Sequence, residues 1–118
     1  MRLHHVQLAI PPGSEAECRA FYCAILGWTE LAKPEALAKR GGLWLQAGED
    51  ELHLGVESDF RPARKAHPAF AVDDLDKLAT RLVAAGATVE WDEVIPGLRR
   101  FYTADAVGNR LESMKEQR

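Results

Sequence analysis

The sequence predicts an α+β fold in which one unit, a strand followed by a helix and three further strands, occurs twice in tandem. Three observations carry this reading. Short alternating apolar segments appear in the same order before and after a polar stretch at Glu57–Ala66. Each half holds one segment with helical apolar spacing, and both end on a glycine, Gly27 and Gly86. Shifting the second half by 59 positions lays Leu26-Gly27 on Ala85-Gly86 and Leu52-His53 on Leu111-Glu112. An internal duplication of roughly 50–60 residues accounts for all three.

The elements follow in order. Leu3 to Ile10 alternates as a strand, and Pro11-Pro12-Gly13 ends it. Ser14, followed by Glu15 and Glu17, reads as a helix N-cap with acids in the first turn, and Cys18, Phe21, Tyr22, Ile25 and Leu26 give the helix its apolar face. Strands are expected near Trp28–Leu31, Leu43–Gln46 and Leu52–Val56, with Gly41-Gly42 as a turn. In the second half His67–Val72 is a strand, and Asp73-Asp74 leads into a helix carrying Leu75, Leu78, Leu82 and Val83. Strands near Thr88–Trp91, Arg100–Thr103 and Arg110–Met114 complete it, with Gly108-Asn109 turning the chain before the last. One domain over 1–118 is expected, its first unit spanning about 1–57, a linker about 58–66 and the second unit about 67–118.

Composition narrows the function. The 118 residues suffice for a core without staples, since folding at this size buries roughly 65% of the extended surface. Fifteen Lys and Arg against eighteen Asp and Glu leave a net charge of -3, which disfavours nucleic acid as a partner. No apolar run approaches the ~20 residues that cross a bilayer, and the first residues do not read as a secretory leader, so a cytoplasmic address and no membrane partner are expected. Cys18 and Cys23 point ~140° apart on a helix, which excludes a bridge between them and predicts two reduced thiols.

Strand parity singles out four side chains. Val6, Leu8 and Ile10 share one face of the first strand and His5 and Gln7 the other; His53 lies opposite Leu52 and Leu54, His67 opposite Phe70 and Val72, and Glu112 opposite Leu111. The duplication pairs His5 with His67 as openers of first strands, and His53 with Glu112 in the last. Imidazole and carboxylate donors aimed into one concavity suit a first-row divalent ion. His4 has the opposite parity and reads as an ordinary strand residue.

At these residues the chain resembles the vicinal oxygen chelate superfamily, which includes glyoxalase I, bleomycin-resistance proteins, fosfomycin-modifying transferases and extradiol dioxygenases. The resemblance is carried by Leu3-His4-His5-Val6-Gln7-Leu8-Ala9-Ile10, by Phe21-Tyr22-Cys23-Ala24-Ile25-Leu26-Gly27-Trp28, by the stretch from His67 to Asp76, and by Gly108-Asn109-Arg110-Leu111-Glu112. It implies two βαβββ modules, each a curved mixed sheet with a helix on its outer face, that form an open barrel-like cleft. It also implies that His5, His53, His67 and Glu112 hold one divalent metal ion per site (Zn, Ni, Fe, Mn or Co), with Glu112 as the catalytic base as well as a ligand. A glyoxalase-like isomerase or lyase acting on a small molecule is the expected activity. Its alternatives are a metal-free drug- or metabolite-binding protein of the bleomycin-resistance type and an Fe(II)-dependent ring-cleaving dioxygenase.

The chain departs from each relative somewhere. Glyoxalase I usually has Glu or Gln where this chain has His53, and the fosfomycin enzymes usually have Thr at the position of Gln7. Gln7, Trp44, Arg64, Phe101 and Tyr102 are the expected substrate-binding residues, Arg64 from a basic stretch suited to an anion. The resemblance further favours a homodimer whose sites are composite, His5 and His53 of one chain meeting His67 and Glu112 of the other; a ten-residue linker of roughly 33 Å reach permits it.

Overall fold

Among the described residues, eight strands make two separate four-stranded sheets. The first contains β1 (His5–Ile10), β2 (Thr29–Leu31), β3 (Leu43–Ala47) and β4 (Asp50–Val56) in the order β1-β4-β3-β2. The second contains β5 (Ala69–Ala71), β6 (Glu90–Asp92), β7 (Arg100–Ala104) and β8 (Arg110–Met114) in the order β5-β8-β7-β6. In each, the first strand lies parallel to the last and the remaining pairs are antiparallel, so both sheets are mixed and neither closes. The computed structural model describes residues 1–115; positions 116–118, the end of the second expected unit, lie outside the described residues.

The registers repeat with the sheets. β1 and β4 set Gln7 beside His53, and β5 and β8 set Ala69 beside Glu112. Two residues before Gln7 stands His5, and two before Ala69 stands His67. The correspondence of His5 with His67 and of His53 with Glu112 is therefore written into the backbone pairing. β5 is shorter than the expected His67–Val72, because Pro68 has no N–H to give to a ladder. Its carbonyl still accepts from Glu112 N at 3.0 Å.

Helices cover one face of each sheet. In the first half α1 (Glu15–Arg19) continues as wider π-helical backbone through Ala20–Ile25, and Cys18, Phe21 and Tyr22 are buried from it. Ser14 does not cap α1 as its position suggests. Its buried Oγ instead donates back to the Pro11 carbonyl at 2.7 Å, bracing the turn that leaves β1. A short helix α2 (Glu35–Ala38) follows Pro34, where the sequence shows no periodicity to announce it. In the second half α3 (Leu75–Ala84) is capped by Asp74, whose Oδ1 accepts from Lys77 N at 3.0 Å, and it buries Leu75, Ala79 and Leu82 at helical spacing.

One core serves both halves. Ile10, Tyr22, Leu43, Leu45 and Leu52 from the first join Leu82, Phe101 and Leu111 from the second in a single apolar cluster. Two buried polar residues fasten the halves. Tyr22 donates its hydroxyl to Asp105 Oδ2 at 2.6 Å, and the fully buried Asn109 donates from Nδ2 to the Ala9 carbonyl at 2.8 Å. Asn109 Oδ1 also accepts from Ala63 N at 2.8 Å, and Arg110 N donates to the Ala63 carbonyl at 2.7 Å. The linker is thus anchored at its middle. The chain forms a flattened body of 46 × 35 × 25 Å, and no helix among the described residues is long and apolar enough to cross a membrane.

Candidate functional site

The face of each sheet turned away from its helices carries the polar side chains. On the first sheet, β4 presents His53, which is 5% exposed and pairs with Glu51 of its own strand. Its ring is clasped between two others, with His5 stacked on one side at 3.9 Å between centroids and Trp44 on the other at 4.4 Å. Its Nε2–H donates to Glu51 Oε1 at 3.1 Å, and this bond holds the Glu51 carboxyl below the usual carboxylate range. Nδ1 is left as the nitrogen with the free lone pair. Gln7 lies alongside, its amide occupying the space over Gly55, where a Cβ would meet Gln7 Nε2 at 2.9 Å. His5 also meets His4 at 2.9 Å between Nδ1 atoms.

On the second sheet His67 and Glu112 form the matching pair. The Lys65 carbonyl lies 2.8 Å from His67 Nδ1. A carbonyl can only accept, so Nδ1 carries a hydrogen and, in the neutral ring, Nε2 carries the lone pair. That lone pair faces Glu112 Oε1 at 3.0 Å. Two acceptors pointed at each other need a proton or a cation between them. An outer partner on Nδ1 that turns Nε2 inward is also how metal-ligating histidines are held. The other carboxylate oxygen, Oε2, faces Arg100 NH1 at 3.4 Å, and Arg100 also pairs with Asp92 at 3.4 Å. Arg100 Nε is buried with no hydrogen-bond partner.

Tyr102 stands opposite Glu112 in the β7–β8 register. The His67 ring meets it edge to face at 5.3 Å, and the Arg110 guanidinium lies over it at 3.8 Å. Arg110 also donates from NH1 to the Arg64 carbonyl at 3.3 Å, which brings Arg64 to the same rim. Phe101 does not belong here. It alternates with Arg100 and Tyr102, faces the helix side and is fully buried against Trp91 at 5.1 Å, so its part is packing.

The structure brings the four expected donors together in twos. His5 stacks on His53 and His67 bonds to Glu112, but no group of three or more His, Cys, Asp or Glu among the described residues is placed to hold a metal ion. The halves border a common hollow of about 230 Å³ lined by His5, Glu51, Pro68 and Ala69. A roomier cavity of about 490 Å³, lined by Trp28, Phe70, Lys77 and Arg81 among others, holds none of the donors. Glu51, Arg100 and Arg110 join the polar faces without having been expected there. All three share the strand alternation of the four donors, so the signal for them is present in the sequence.

A family model described as a glyoxalase-like domain matches residues 10–113. Among solved structures, a glyoxalase family protein from Bacillus anthracis is 45% identical, with a TM-score of 0.94 over 99% of this chain and 96% of that one. Lactoylglutathione lyase from Agrobacterium tumefaciens is 20% identical with a TM-score of 0.71, covering 97% of this chain and 94% of that one. The fosfomycin resistance protein FosX from Listeria monocytogenes is 16% identical with a TM-score of 0.81, covering 98% and 91%. At such identities the likeness to the last two shows the fold alone. No curated protein matches the chain.

Proposed function

Since the chain belongs to the glyoxalase-like family, we propose that it is a metal-dependent enzyme, a glyoxalase-like isomerase or lyase acting on a small molecule. The observation that carries this reading is the pairing of His67 with Glu112, in which Lys65 turns the Nε2 lone pair onto a carboxylate oxygen. The donor set fits a divalent ion. Three imidazoles and one carboxylate accept Zn, Ni, Fe, Mn or Co, and His5, His53, His67 and Glu112 would hold it. A bound ion supplies Lewis acidity to a substrate chelated through neighbouring oxygens, stabilising the oxyanion or enolate formed when a proton leaves.

The chain's own residues divide the remaining work. Glu112 is the one carboxylate at the His67 pair and takes the proton. Arg100 holds its far oxygen and leaves Oε1 facing inward. Trp44 fixes the plane of His53, and Gln7, Trp44, Arg64 and Tyr102 line the face that receives substrate. Each sheet offers two donors, so a full set requires two halves to face one another. We infer a homodimer in which His5 and His53 of one chain oppose His67 and Glu112 of its partner, giving two composite sites.

Elemental analysis of protein purified without added metal, followed by titration, tests the reading. His5→Ala, His67→Ala and Glu112→Gln should each lower metal affinity at least ~10-fold, while His4→Ala leaves it unchanged. Absence of metal together with weak affinity on titration would replace the enzyme by a metal-free small-molecule binding protein.

A further inference from the structure

We infer that the rim of the second sheet carries an oxyanion-binding subsite built on Arg110, so that the substrate bears a carboxylate or phosphate group one tyrosine ring away from His67. The inference rests on the reading of this face as the substrate site. It adds to that reading a substrate class and the residue that selects it.

The charge distribution is the first support. The other guanidiniums on or near this sheet are spoken for, since Arg100 pairs with Asp92 and Glu112, and Arg99 pairs with Asp76 at 2.8 Å. Arg110 and Arg64 have no ion-pair partner among the described residues. Both border an open hollow of about 380 Å³ together with Tyr102, Thr88, Gly108 and one carboxylate, Glu90. Two cations against one acid leave the hollow positive, and an anion is what such a surface lacks.

The geometry of Arg110 is the second. Its guanidinium rests on the Tyr102 ring at 3.8 Å, a cation–π contact that fixes the plane of the fork. Its NH1 is tied to the Arg64 carbonyl, which settles rotation within that plane. The edge formed by Nε and NH2 has no partner among the described residues, and neither atom is among the buried unpartnered ones. A held fork with one free edge matches a bidentate oxyanion, a demand that Lys cannot meet. The position also serves the proposed chemistry. Tyr102 touches both Arg110 and His67, so an anion on the fork lies beside the donor pair without competing for Glu112.

Arginine Nε–Hε resonances of the ¹⁵N-labelled full-length protein in metal-free buffer provide the test, with inorganic phosphate, acetate and uncharged acetamide as probes. The Arg110 resonance should shift saturably with phosphate or acetate and not with acetamide, while the Arg99 resonance, held by Asp76, stays in place. Whichever of phosphate and acetate binds more tightly identifies the tetrahedral or the planar group. Read on the Arg64 resonance at the same hollow, Arg110→Gln should weaken binding about tenfold or more, and Arg110→Lys severalfold, since charge remains but the fork is gone. Should Arg110→Gln fail to fold, Arg64→Gln keeps the carbonyl that Arg110 uses and should weaken binding about two- to threefold, roughly the worth of one exposed charge. Glu112→Gln separates the two readings, because it should lower metal affinity at least ~10-fold and leave anion binding intact or tighter. Linear, unsaturated shifts shared by all arginines, or undiminished binding in both Arg110 variants, would overturn the subsite whatever the metal does.

Discussion

The imidazole of His53 lies flat on that of His5, with centroids 3.9 Å apart and planes within 16°. Trp44 covers its other face, again nearly parallel at 10°. The orientation of a candidate ligand is therefore set by ring stacking, before any ion is considered. Trp44→Ala removes no donor but frees the His53 ring to turn. It should lower affinity for Zn or Co by about 10-fold, the scale of outer supports in metal sites. A titration that finds no change would show that the stack plays no part in binding.

Composite sites make an arithmetical prediction. If the His5→Ala and Glu112→Ala chains are unfolded, mixed and refolded, about half the dimers should be hetero. Each heterodimer holds one doubly damaged site and one intact site, so roughly a quarter of the high-affinity sites should return. Sites formed within single chains would each keep a lesion, and the mixture would bind no better than its parents. A metal-loaded chain that sediments as a monomer at micromolar concentration would exclude shared sites as well.

The cysteines should differ in reactivity. Burial pushes the Cys18 thiol up to about 11, with the Asp105 charge acting in the same direction. Cys23 is raised too, chiefly by burial, but it is only half-buried. Near pH ~8 a disulfide reagent should label Cys23 first and reach Cys18 only on unfolding. Peptide mass mapping after timed quenching reads this directly, and equal rates at the two thiols would contradict the buried placement of Cys18.

Acid should loosen the segment between α1 and β3. Gly42 N donates to Glu15 Oε2 at 3.0 Å, and this bond lowers the carboxyl below its ordinary value. A depressed folded-state value means stability present above the unfolded pKa and lost as pH falls through the folded one. The contribution of Glu15 is thus complete above about pH 5 and disappears below its depressed value. Urea unfolding of metal-free Glu15→Gln should show a smaller loss of stability between about pH 5 and 3 than the parent chain. Identical losses would assign the acid sensitivity elsewhere.

Much of the fold is legible in the sequence because its signals are periodic. The alternation around Leu52-His53-Leu54 and Arg110-Leu111-Glu112 marks both the strands and the faces of their polar residues. The repeat pairs His5 with His67 without any knowledge of register. What escapes has physical causes. α2 is a single turn following Pro34, too short for a 3.6-residue period to develop. Ser14 has the sequence of a cap, but the neighbouring Pro11 carbonyl competes for its hydroxyl, and no propensity records that competition. Phe101 shares aromatic character with Tyr102, yet adjacent strand residues face opposite ways and only one of the two can reach the site. The separation of the donors into twos is a matter of how sheets are disposed in space, which one-dimensional spacing does not contain.

Asn109 has a consequence for how the protein comes into being. Its side chain bonds the carbonyl of Ala9, a residue made 100 positions earlier. On the ribosome every strand of the first sheet emerges before Asn109, so that carbonyl waits for its donor until the second half is made. This bond to β1 therefore cannot form before Asn109 itself has been made. A chain interrupted before Asn109 leaves the Ala9 carbonyl without its donor and the first sheet's apolar face without Leu111, open to whatever chaperone or protease arrives first.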